Sequence, residues 1–396
     1  MTAATSVVNM RVHLYGVQGS GSVFPSRAER LAYQELTDLD LLTNVFVDLG
    51  RRCDSHGKLR QTLTDILGGP MDRQHLLAYR RTMPFIDPRV YGGWTTCVHV
   101  ETSDGHDFVL DCGSGFRNCA KALQAKWGDR EERHLHVFGS HSHLDHTEGF
   151  DQAAVCFDGR NRLHIYGNAQ FLKALDVHLG IFSHHVADEV RGVQTPIHFA
   201  MMPAHFDACE IRDLTRAPAR QGAELAQRQI HLGDPIRIGE TTITAFEVCH
   251  PAPCLAYRFE HHGKVFVFCT DHELRHGDDD ADPALIASRA AEERVRQHAG
   301  GADLLYRDGQ YFRVEYDGIQ GIGSTGAVPR VGWGHSCIED VRDMARDCAV
   351  KRTLIGHHDP NREWSERNWI DSTLARSAGE GDAQVELARA ETSYDL

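Results

Sequence analysis

The chain has 396 residues, 41% hydrophobic and 25% charged, with a formal net charge of −14, the profile of a soluble globular protein with a large core. That charge argues against a partner bound by its phosphate backbone, because such binding is driven by Lys and Arg. Residues 1–10 (MTAATSVVNM) lack the basic and apolar regions of a signal peptide, and no run of about 18 apolar residues is present to span a membrane.

In chain order, residues 10–16 (MRVHLYG) alternate as a strand does, and 19–25 (GSGSVFP) read as a turn. Residues 27–88 change character. AERLAYQELTDLDLLTNVFVDLGRRC, GKLRQTLTDILGG and DRQHLLAYRRTM are rich in Leu, Arg, Gln and Ala at helical spacing. Leu31, Leu36, Leu39, Leu42, Val45, Phe46, Leu63, Ile66 and Leu67 are expected to let them pack as two or three helices. Strands resume at 95–101 (TTCVHVE) and 107–113 (DFVLDCG). A helix follows at 114–127, then a short strand at 134–140 (HLHVFGS). A strand at 163–167 and a helix near 169–178 precede a less regular stretch to about Asp234. Three strands then fall within 243–270. A helix at 284–298, a strand at 303–308 (DLLYRD), a helix at 338–349, a strand at 353–356 (TLIG) and a polar helical end follow. Residues 379–396 are polar and acidic and are expected to be a loose tail. Strands followed by helices in two successive halves imply layered α and β structure. The eleven cysteines are scattered with no CxxC pair, which fits reduced thiols in a cytoplasmic protein.

Residues 141–146 read His-Ser-His-Leu-Asp-His directly after the strand 134–140. In extended chain, alternate residues share a face, so His141 and His143 can aim at one place while Asp145 and His146 reach a neighbouring one. Imidazole and carboxylate suit zinc or manganese.

This segment resembles the HxHxDH signature of metallo-β-lactamase-fold hydrolases. Further segments are similar in order: GVQGSGS (16–22), YGGWTTC (91–97), DCGSG (111–115), HPAPCLAYRF (250–259), FCTDHE (268–273), GWGHS (332–336) and LIGHHDP (354–360). The set is closest to the phosphodiesterase branch, which includes ribonuclease Z and bacterial cyclic-nucleotide phosphodiesterases. It covers most of the chain outside 27–88. The resemblance implies one four-layer αββα domain over 1–396 with 27–88 as a helical insertion. It also implies two divalent metal ions, with zinc expected and manganese or iron as alternatives. His141, His143 and His250 would bind one ion, and Asp145, His146 and His357 the other, with Asp271 bridging. His358 is the alternative to His357. Asp145 and His335 are the residues assigned to the chemistry, His335 as proton donor to the leaving group. Asp111 is either a partner that orients a ligand imidazole or a turn cap. The chain departs from the branch at Gln18, Trp94 and Cys337, which bears on substrate and removes no ligand.

The implied function is hydrolysis of a small anionic phosphodiester, a nucleotide or cyclic nucleotide, by a metal-bound hydroxide available near neutral pH. The alternatives are a ribonuclease acting on RNA ends, a lactonase or thioesterase on the same fold, and a metal-containing binding protein. A ribonuclease would be expected to carry a basic Gly- and Pro-rich arm, which is not found. The insertion is expected to emerge near the metal-site end. It would be a surface elaboration, or a lid or homodimer contact that brings Arg80 and Arg81 to an anionic substrate.

Overall fold

The computed structural model describes residues 8–21, 23–83, 91–193, 195–217, 223–377 and 383–396. It divides into two compact units, Pro25–Arg89 and the remainder of the chain.

The smaller unit is helical. α1 (Arg27–Arg51) starts at a capping box in which Ser26 and Glu29 satisfy each other's backbone N–H groups. α2 (Leu63–Leu67) opens with the same device from Thr62 and Asp65. α3 (Arg73–Thr82) is capped by Asp72. Within the unit, Asp48 accepts from Arg52 (2.9 Å) and from the Tyr79 hydroxyl (2.6 Å). The expected helices form, but they do not bury an apolar face. No helical residue of this unit is buried, and Leu31, Leu36, Leu39, Leu42 and Phe46 are exposed. Their ends are fixed by capping hydrogen bonds, and no helical residue contributes to a fully buried core.

Among the described residues, the larger unit is built on fifteen strands. β1 (Met10–Gly16), β2 (Cys97–Thr102), β3 (Asp107–Leu110), β4 (Arg133–Phe138), β5 (Asn161–Gly167), β6 (His205–Arg212) and β7 (Arg228–His231) belong to the first sheet. The second sheet holds β8 (Ile236–Ile238), β9 (Thr241–Val248), β10 (Cys254–His261), β11 (Lys264–Cys269), β12 (Leu304–Asp308), β13 (Arg352–Gly356) and β14 (Gln384–Leu387). β15 (Thr392–Asp395) returns to the first sheet beside β1, giving the orders β15-β1-β2-β3-β4-β5-β6-β7 and β14-β13-β12-β11-β10-β9-β8. Strands β3 to β7 are parallel, as are β11 to β14. Parallel strands put all their carboxyl ends on one rim, where open α/β sheets carry their ligands.

Period-two alternation explains the layering. On β4, Phe138 joins the core between the sheets with Phe108, Tyr257, Phe259 and Phe268. Leu135 and Val137 face the other way, against Phe116, Leu123 and Trp127 of α4 (Phe116–Trp127) and Phe171 of α5 (Ala169–Leu179). On the second sheet, Val267 and Leu305 face outward onto Val295 of α6 (Pro283–Ala299). After the single turn α7 (Arg313–Tyr316), Val341 and Met344 of α8 (Ile338–Asp347) and Ile370 of α9 (Trp364–Ser377) complete that layer. The result is helix, sheet, sheet, helix.

Two expectations are corrected. The stretch before Asp234 holds β6 and β7. β6 buries a continuous run, residues 208–211, and no β7 residue is fully buried, so neither shows clean alternation. Within the expected loose tail, Val385 and Leu387 enter the outer core and Tyr394 the inner one, and β14 and β15 pair with β13 and β1. Partners distant in sequence order this segment, a signal that local polarity does not carry; residues 379–382 lie outside the described residues. No helix among the described residues is long and apolar enough to cross a membrane.

Candidate metal centre

Strand ends supply the donors. β4 runs into Gly139, Ser140 and the loop that ends in the short 3-10 turn Leu144–His146. Gly113 is needed beneath this loop, because a Cβ there would stand 2.2 Å from the Asp145 carbonyl oxygen. Just past β3, β11 and β13 sit Asp111, Asp271 and His357, all with left-handed backbone (φ +60°, +49° and +55°). Such conformations cost non-glycine residues about 1–3 kcal/mol each. The two-sheet core offsets that cost, and the turn aims each side chain across the rim.

The side chains converge in two adjoining groups. His141, His143, His250 and Asp271 place ligand atoms within 4.8 Å of one another, as do Asp145, His146 and His357. Asp271 joins the groups. Its Oδ2 lies 3.4 Å from His141 Nε2, 3.5 Å from His146 Nε2 and 3.8 Å from His250 Nε2, and its Oδ1 lies 3.2 Å from His357 Nε2. His357 Nε2 is also 3.1 Å from Asp145 Oδ2. All are buried except His143, which is exposed, and His250, whose backbone is partly open. His357, not His358, enters the centre; the buried His358 ring instead meets the Ala388 carbonyl through Nε2 (2.8 Å). His272 is likewise turned away, toward Glu292 (3.0 Å).

The far ring nitrogens of His146, His357 and His250 have partners. Asp111 takes His146 Nδ1 at 2.7 Å while accepting from the Ser140 amide (2.7 Å) and hydroxyl (2.7 Å). It is therefore both a loop anchor and an orienting partner. The Gln310 amide meets His357 Nδ1 (2.6 Å), and the Ala252 backbone meets His250 Nδ1. A carboxylate at the far nitrogen, as Asp111 is for His146, directs the opposite lone pair inward, the arrangement of an imidazole that ligates metal.

The donor set fits a metal ion on two observations. The buried His141 Nε2 has no hydrogen-bond partner, although it faces the centre. And among the described residues, the buried carboxylates of Asp111, Asp145 and Asp271 form ion pairs only with histidines, never with Lys or Arg. Buried anions need compensating charge. Burial disfavours the Asp271 charge, but His357, His146 and His141 outweigh it and hold the carboxyl well below its usual range. Burial lowers His250 to about 4, so the ring is neutral and able to ligate.

His335 stands beside the centre. It is grouped with Asp271 and His357, stacks on the His357 ring (4.9 Å, 26°), and has Nδ1 3.3 Å from Asp308 Oδ2. Burial pushes its pKa down, yet the nearby carboxylates of Asp308 and Asp271 prevail and raise it. Its loop needs glycine at Gly334 (φ +97°), where a Cβ would lie 2.2 Å from the His250 ring. Sequence reasoning missed three residues here: Asp308, Gln310 and Glu273. Glu273 is fully buried and fastens the His335 loop by accepting from the Gly332 and Gly334 amides (2.7 and 3.2 Å) and the Tyr316 hydroxyl (2.6 Å). Asp308 carried a usable signal, being the last residue of a strand as Asp111 nearly is. On the outer side of the donor loop, a cavity of about 370 Å³ is lined by Ser142, Leu144, Thr147, Glu148, Asp151 and His178.

No family model matches the chain, and no curated protein matches it. Solved structures do. A diphosphatase of the PhnP family aligns over 98% of this chain and 98% of its own at 13% identity and a TM-score of 0.50. The short form of human tRNase Z aligns over 97% and 98% at 13% identity and 0.48. The metallo-β-lactamase-fold protein YhfI from Bacillus subtilis aligns over 98% and 100% at 13% identity and 0.48. With helices outside two face-packed sheets, this chain has the metallo-β-lactamase fold.

Proposed function

We propose that the chain is a metal-dependent hydrolase that cleaves a small phosphodiester, a nucleotide or cyclic nucleotide. The observation that carries this reading is the convergence of six donor side chains around Asp271, with buried carboxylates that, among the described residues, form ion pairs only with histidines. His141, His143 and His250 would hold one divalent ion and Asp145, His146 and His357 a second, with Asp271 between them; imidazole with carboxylate favours zinc. Bound there, the ions supply a water of lowered pKa and positive charge beside the attacked phosphoryl oxygen.

The chain's own residues orient and protonate. Asp111 and Gln310 keep the His146 and His357 rings aimed at the centre. The Asp308 carboxylate, 3.3 Å from His335 Nδ1, favours the charged ring, whose Nε2 can then carry the proton that a departing alkoxide requires. Glu273 keeps the His335 loop in place. The cavity beside the donor loop has the volume of a small-molecule site. Its lining is mostly apolar, with Leu144, Leu175, Val177 and Leu179 beside the Glu148 and Asp151 carboxylates, which suits an uncharged base in preference to a second phosphate. A thioester, whose thiolate leaves without a proton, would make less use of a held proton donor.

The test compares a model phosphodiester, cyclic mononucleotides and structured RNA as substrates of zinc-loaded and metal-stripped protein. Metal-dependent cleavage of the first two with little of the third is expected. Preference for a lactone or thioester, or for structured RNA, would overturn the substrate assignment.

A further inference from the structure

The helix α1 turns its apolar face to solvent. Leu36, Leu39, Leu42 and Phe46 recur at intervals of three and four residues, and Leu31 and Val47 extend the same stripe, the pattern of a helix face that packs on another element. All six side chains are open, between 46% and 67% exposed. Tyr33, Thr37, Asp40, Asn44 and Asp48, all polar, lie half-buried on the far side of the helix, where Asp48 meets Tyr79 of α3. The stripe amounts to roughly 600 Å² of apolar surface per copy, and two copies to roughly 1,200 Å², the size at which specific interfaces begin. Contiguous apolar patches this large are uncommon on a monomer.

The symmetry of the stripe identifies its occupant. Leu39 is the midpoint of the helix Arg27–Arg51. Leu36 and Leu42 are equidistant from it, as are Leu31 and Val47, and Ala32 and Phe46. Two antiparallel copies of α1 related by a two-fold axis at Leu39 therefore set Leu36 against Leu42, Leu31 against Val47, and the small Ala32 beneath the Phe46 ring. Between Leu31 and Val47 the one charged residue in the stripe is Glu35, and it meets Thr43 of the other copy, not a second carboxylate. A contact between two identical surfaces must be complementary to itself, and this palindrome meets that requirement.

We propose that α1 is the contact of a homodimer, packed antiparallel on α1 of a second copy of the chain around a two-fold axis at Leu39.

The experiment is sedimentation equilibrium of the full-length protein across the micromolar range, beside a Leu39→Glu/Leu42→Glu variant. The wild type should be a dimer. The variant should be a monomer, its dissociation constant raised roughly 100-fold or more, because carboxylates then occupy the buried centre of the contact. Both positions are exposed in the single chain, so the variant should keep the wild-type far-UV spectrum. A cysteine pair keeps the test open if the glutamates prevent folding. Leu39→Cys, on the two-fold axis, should form a covalent dimer under mild oxidation beyond the wild-type background, and Gln34→Cys, exposed outside the stripe, should not. A monomer at every concentration, a dimer that the glutamates leave intact, or equal cross-linking of the two cysteine variants would overturn the contact.

Discussion

Replacing Asp111 by Asn tests whether the centre depends on the partners of its ligands. Asn keeps the shape and tolerates the left-handed backbone at φ +60°. Its carbonyl oxygen can still accept from the Ser140 amide, but an NH₂ group replaces the oxygen that now takes His146 Nδ1 and the Ser140 hydroxyl, each at 2.7 Å. The hydroxyl can rotate. The imidazole cannot, so His146 must shift its proton to Nε2, the nitrogen that faces the centre. Loss of such a partner weakens metal binding about 10- to 100-fold, or about 1.4–2.7 kcal/mol. That matches the roughly 1.5–3 kcal/mol of one charge-assisted hydrogen bond. The assay is zinc titration against a competing chelator, with hydrolysis followed at fixed free zinc. The activity curve should move to higher zinc by that factor and reach a near-normal plateau. A folded variant with wild-type zinc affinity would refute the reasoning.

Purified protein should approach two transition-metal ions per chain by elemental analysis, and His143→Ala and Asp271→Ala should each abolish hydrolysis and lower the metal content; full activity without metal would refute the centre. His335→Ala should retain metal and fold but lose about 10²–10⁴ in turnover, and the loss should shrink for p-nitrophenyl leaving groups, which need no proton; equal losses for alkyl and p-nitrophenyl esters would remove its role. His136 is held near pKa 3 by burial, from 6.5. Below pH 6.5 the unfolded chain therefore binds a proton that the folded chain refuses, and stability falls as pH drops until about 3, by roughly 5 kcal/mol in full. His136→Leu in chelator should flatten denaturation midpoints across that window; an unchanged pH slope would count against it.

The donor loop was legible because one strand delivers it: His141, His143, Asp145 and His146 sit within six residues, and no packing information is needed to see them together. The resemblance extended this to His250, Asp271, His335 and His357 through short ordered motifs. Alternation and spacing in β1 to β5 and β9 to β13 implied layered α and β structure, and the resemblance supplied the four-layer αββα arrangement. Tertiary structure alone decided the rest. His357 and His358 are adjacent and chemically identical in sequence; only the left-handed turn after β13 sends one into the centre and the other to Ala388. Asp308 and Glu273 act by accepting hydrogen bonds from a loop more than twenty residues away, which no local pattern encodes. β14 and β15 are strands because β13 and β1 offer them unpaired edges. Sequence specifies which chemical groups are available and the local period of the chain. Which nitrogen faces which oxygen is fixed by long-range packing and by the strained turns it sustains.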